Sequence, residues 1–83
     1  MNEVIVISVC EKVVKTNKLC GYEFHFRGFF KGEKINKINV RTRETFSIGE
    51  EYLLFLEIED VLSLSLNTKL IQSTELKKIS FPN

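Results

Sequence analysis

The sequence predicts an all-β fold, a small barrel of five to six short strands forming a single domain over residues 1–83. Three observations lead there. Apolar and polar residues alternate with period two over several short runs, the pattern of half-buried strands. Turn-forming residues recur between these runs, at Asn17, Gly32 and Gly49. Finally, a chain of 83 residues buries roughly 60–65% of its unfolded surface, enough for one core and not for a second.

The first run, Val4-Ile5-Val6-Ile7-Ser8-Val9, is β-branched and nearly continuous, extending through Val13-Val14. Such a strand is either covered on both faces or changes partners as it curves. Lys15 to Lys18 reads as a turn. A second strand follows over residues 20–30, with Tyr22, Phe24 and Phe26 on one face and Glu23, His25 and Arg27 on the other. Gly28 interrupts the alternation and is expected to mark a bulge or bend. Residues 31–34 supply the next turn. In the third strand Ile38, Val40 and Thr42 oppose Asn39, Arg41 and Arg43.

Ser47-Ile48-Gly49-Glu50 is a turn, and residues 52–58 form a fourth strand with Tyr52, Leu54, Leu56 and Ile58 inward and Leu53 and Phe55 on the reverse face. A helix competes over residues 50–66, which are rich in helix formers, but consecutive rather than three-and-four-spaced apolar residues favour a strand. An acidic corner at residues 57–60 leads to an extended segment with Leu62, Leu64 and Leu66 alternating with Ser63 and Ser65. Asn67-Thr68 is expected to turn the chain into a last strand over residues 69–76. Five or six such strands fit most economically into a partly open OB-like barrel. An SH3-like barrel is the nearest alternative, and an α+β domain would require a helix at residues 50–66.

Hydrophobic residues make up 43% of the chain, with four Gly and one Pro, which excludes a low-complexity or disordered class. The net charge of +1 conceals a split: residues 27–43 carry +5 and residues 44–60 carry −6. Surfaces of opposite sign attract partners or further copies of the chain; the alternative is a pair of ordinary solvated strand faces. Cys10 and Cys20 have no zinc-ligand spacing and lie among apolar residues. They are expected as buried thiols in a reducing compartment, with a single disulfide as the alternative in an exported mature domain. The apolar run at residues 4–9 is too short for a membrane span or a signal segment. The expected setting is the cytoplasm.

Residues 31–58 contain Lys31-Gly32, Val40-Arg41-Thr42, Phe46, Gly49 and Tyr52-Leu53-Leu54-Phe55. This succession resembles the pattern of netrin-like and tissue-inhibitor-like OB-fold domains, over about a third of the chain. The resemblance implies the fold. It does not carry over metalloprotease inhibition, which in that family uses an amino-terminal cysteine, whereas this chain begins Met1-Asn2.

No enzymatic activity, metal site or cofactor is expected. His25 is the sole histidine, no nucleophile elbow or phosphate-cradling glycine loop is present, and a His25/Glu23/Cys10/Cys20 metal set lacks ligand spacing. Binding is the better reading. OB barrels commonly bind oligonucleotides on strands two and three. Phe29 and Phe30, side by side between Gly28 and Lys31, cannot both be internal by alternation, so one is expected outside. A hairpin through residues 32–34 would bring Arg27 to Arg41 and His25 to Arg43. That stripe calls for an anionic partner or for neutralising acids from elsewhere in the fold. The predicted ligand-binding residues are therefore His25, Arg27, Phe29, Phe30, Lys31, Asn39, Arg41 and Arg43. A protein partner or self-association into a homodimer is placed ahead of single-stranded nucleic acid, and no membrane partner is expected.

Overall fold

The structure, a computed structural model, describes residues 2–15, 21–27 and 36–79. Its strands are β1 (Glu3–Lys15), β2 (Tyr22–Arg27), β3 (Lys37–Thr42), β4 (Glu51–Val61) and β5 (Ser65–Glu75), followed by a 3-10 turn at Leu76–Lys78. Their order, β1-β2-β3-β5-β4, closes into a barrel because β1 pairs with both β2 and β4. Every pair is antiparallel except β3 with β5, which is parallel. This is the small all-β, OB-like barrel expected, with five strands among the described residues, but it is closed rather than partly open, because β1 bends to pair at both sides. The strand reading of residues 51–61 prevails over the helical one. No helix among the described residues is long and apolar enough to cross a membrane.

β1 changes partners. Its first half runs along β4, from Glu3↔Glu57 to Val9↔Glu51, and its second half along β2, from Val9↔Arg27 to Lys15↔Tyr22. The ladder shifts between Cys10 and Lys12, a local bulge that bends the strand so that one element serves both sides of the closure. Ser8 and Cys10 point inward and are buried, and the Ser8 hydroxyl donates to the Arg27 carbonyl. Ile5 and Ile7 stay 62% and 56% exposed. The β-branched run is thus covered on one face only.

The core joins Cys10, Phe24, Phe26, Ile38, Val40, Phe46, Tyr52, Leu54 and Leu56. Alternation placed the strand residues correctly, because a barrel wall has one dry face and one wet one. Phe46 comes from the β3–β4 connection instead. Its ring meets Phe24, Phe26 and Tyr52 edge-on, at centroid distances of 5.0, 5.2 and 4.7 Å. The Ser47 amide donates to the Tyr52 hydroxyl at 2.7 Å, which fixes the loop that carries Phe46. The turn at Ile48-Gly49 forms as expected, with Gly49 at φ +87°. It is tied to β1 by the Gly49 amide on the Cys10 carbonyl at 2.7 Å.

Two expectations fail in β4 and β5. Asn67-Thr68 does not turn the chain but lies inside β5, which runs unbroken from Ser65 to Glu75. Thr68 is buried, its hydroxyl donating to the Asn39 carbonyl at 3.0 Å, and Asn67 faces Asn39 across the parallel ladder. These side chains satisfy their polar groups on β3, so the local turn preference of Asn is overridden. The connection lies earlier, where the Leu62 amide bonds the Ser65 carbonyl at 2.8 Å and Leu62 and Leu64 are exposed. The acidic corner at residues 57–60 is likewise part of β4. Its ladder is irregular at Glu59, and a second irregularity falls at Ile71 of β5. Both bulges shape the surfaces described next.

Candidate functional site

The outer face of β2, β3 and β5 holds most of the described residues predicted for binding. Their pairing is Glu23↔Arg41, His25↔Asn39 and Arg27↔Lys37. The hairpin register expected from a turn at residues 32–34 is corrected here by four positions. Arg27 does not meet Arg41, and His25 does not meet Arg43. An even shift leaves each side chain on its assigned face while dissolving the arginine stripe. Arg43 stands one residue beyond β3, its Cγ near Gly21 rather than beside His25. Phe29, Phe30, Lys31 and the bend expected at Gly28 lie outside the described residues, as do Cys20 and the turn at residues 16–18.

Two arginines of this face are paired within the fold, and its histidine lies against a carboxylate. Arg27 Nε donates to Glu11 at 2.5 Å, His25 Nε2 lies 2.8 Å from Glu23, and Arg41 Nη2 donates to Glu59 at 2.6 Å. The bulge at Glu59 re-aims its carboxylate onto β3, a common use of a bulge. Of the two alternatives named from the sequence, the fold supplies neutralising acids at Arg27 and Arg41. Such exposed pairs contribute little: Glu59→Gln is expected to change the unfolding free energy by no more than about 1 kcal/mol in urea denaturation. A larger loss would mean that the ion pair holds the bulge.

Between these pairs lies a smaller polar cluster. Asn39 Nδ2 donates to Asn67 Oδ1 at 2.7 Å across the parallel ladder. His25 Nδ1 and Asn39 Oδ1, on directly opposed residues, are buried without a hydrogen-bond partner among the described residues. Cys10 is a free, buried thiol whose pKa is pushed up by burial. No group of three or more His, Cys, Asp or Glu among the described residues is placed to hold a metal ion.

A second surface was not among the residues predicted for binding. On the outer face of β1, β4 and β5, Ile5 pairs with Phe55 and Ile7 with Leu53, while Phe55 faces Gln72 on β5. The bulge beside that pair turns Ile71 outward, 54% exposed. Ile5, Phe55 and Ile71 line an open groove of about 560 Å³. Glu3 lies at one end of the groove opposite Glu57, and further along the same face Glu51 stands across from Val9. Among the described residues none of these three acids is in an ion pair. Leu53 and Phe55 were already legible as residues of the reverse face, and the continuous run of β1 was the matching signal. Only the pairing of β1 with β4 shows that the two sets are adjacent.

Lys69 is the other residue that sequence reasoning missed. It lies directly across the parallel ladder from Arg41 and across the antiparallel one from Glu57. Comparison of the chain with protein-family models, with curated proteins and with solved structures gave no match.

Proposed function

We propose that this chain is a non-catalytic β-barrel binding module whose partner is another protein, engaged on the outer face of β1, β4 and β5. One observation carries the reading: Ile5, Ile7 and Ile71 are each more than half exposed and adjoin Leu53 and Phe55 on three neighbouring strands. A contiguous apolar patch is disfavoured in water unless something covers it. Glu3, Glu51 and Glu57 on the same face, none of them in an ion pair among the described residues, favour an apolar segment flanked by lysine or arginine as the occupant. The basic face of β2 and β3 supports the same general function less strongly, because Arg27 and Arg41 already hold carboxylates. The same pairing weakens the single-stranded nucleic-acid reading. The likeness to netrin-like and tissue-inhibitor-like domains enters only as support for the barrel, since Cys10 is buried rather than presented to a metal.

The test uses two synthetic peptides with the same alternating leucine core, one flanked by lysines and one by glutamates. The lysine-flanked peptide is expected to shift backbone amide resonances of β1, β4 and β5, and to bind at least ten-fold more tightly than the other. Ile5→Asp should abolish binding while leaving the amide spectrum folded. Equal binding of both peptides, or no binding at all, would sink the assignment. Sedimentation that finds a dimer lost in Ile5→Asp would make a second copy the occupant. Shifts caused by a short oligonucleotide at Arg27 and Arg41 would restore the nucleic-acid reading.

A further inference from the structure

The parallel ladder between β3 and β5 ends at Arg41↔Lys69. Beyond it β3 finishes at Thr42, while β5 continues to Glu75 with only β4 beside it. A crevice of about 360 Å³ opens where the strands part, lined by Arg41, Thr42, Arg43, Lys69 and Leu70. Three of its five lining residues are cationic and none is acidic. We propose that this crevice is an anion site that takes a phosphate group.

Three arguments support it. Like charges directly opposed across a ladder are destabilising, so Arg41↔Lys69 is an arrangement that a bound anion would relieve. The two acids of β4 nearest to it leave donors spare. Glu59 engages Arg41 through Nη2 alone, and a guanidinium has five N–H donors. Glu57 lies opposite Lys69, yet the two form no ion pair, and Lys69 has none among the described residues. Arginine forks and a lysine ammonium together match the oxygens of a phosphate better than they match chloride. The Thr42 hydroxyl accepts from the Glu44 amide at 2.9 Å, which leaves its own proton available for donation. The site is independent of the apolar face, and its failure would leave the proposed protein partner untouched.

The experiment is a titration of the isotope-labelled protein with inorganic phosphate, with sodium chloride holding ionic strength constant. Saturable amide shifts confined to Thr42, Arg43, Lys69 and Leu70 are expected. Lys69→Gln should weaken binding at least ten-fold, and Lys69→Arg should retain it. Lys69 is exposed, so both variants should keep the folded spectrum. Identical shifts with chloride alone, or unchanged binding in Lys69→Gln, would overturn the proposal. A 5′-nucleoside monophosphate distinguishes the source of the phosphate. Binding no tighter than inorganic phosphate assigns the site to the phosphate group alone, and binding at least ten-fold tighter extends it towards the base; both results support the site.

Discussion

Gly21→Ala is expected to destabilise the barrel by about 2–5 kcal/mol, whereas Gly49→Ala should cost only about 1–2 kcal/mol. The two glycines share nearly the same backbone conformation, φ +88° and +87°. Each therefore pays the penalty of a Cβ in the left-handed region. Their surroundings differ. A Cβ on Gly21 would sit 2.5 Å from the Thr42 carbonyl oxygen, a backbone atom of the paired strand that cannot swing aside, while one on Gly49 meets nothing within 4 Å. The difference between the two variants isolates the steric part. Thermal unfolding should place the Gly21 variant lower by on the order of 10–30 °C for a domain of this size. Equal losses in the two variants would show that β2 and β3 can separate at that end without cost.

Phe46→Ala is expected to cost about 3–5 kcal/mol, as much as truncating a phenylalanine within a strand. Its ring is 8% exposed and makes edge-on contacts with three aromatic residues of the core. Removing it leaves a hole at the end of the barrel, bounded by Phe24, Phe26 and Tyr52, that rigid strands cannot collapse to fill. Phe46→Leu should recover only part of the loss, because it restores apolar burial but not the ring geometry, worth about 0.5–1.5 kcal/mol for each of the three aromatic pairs. Chemical denaturation of the three proteins checks both figures. A loss below 1 kcal/mol for Phe46→Ala would mean that the loop closes the barrel by its backbone alone.

Much of the wall was readable because alternation is a local property. Phe24, Phe26, Ile38, Val40, Tyr52, Leu54 and Leu56 all face inward as their parity required. The turn at Gly49 was readable for the same reason, since only a few consecutive residues decide it. Asn67-Thr68 misled because turn preference is weak and yields to side-chain bonds made across strands. The register of β2 against β3 misled because it was inferred from a tight turn, and strand parity cannot tell a shift of four from none.

The candidate site divides along the same line. Which residues face outward, and the excess of cations at residues 27–43, came from the sequence alone. Which of those cations meet a carboxylate did not, because Glu11 and Glu59 reach Arg27 and Arg41 from two other strands, β1 and β4. The adjacency of Ile5 and Phe55, 50 positions apart, and of Arg41 and Lys69 likewise exists only once the barrel closes. Period and composition act on neighbours along the chain and so determine an all-β barrel and its inner face. Long-range pairing sets what lies beside what on the outer face, and that placement, the basis of both proposed binding surfaces, is decided by the tertiary structure alone.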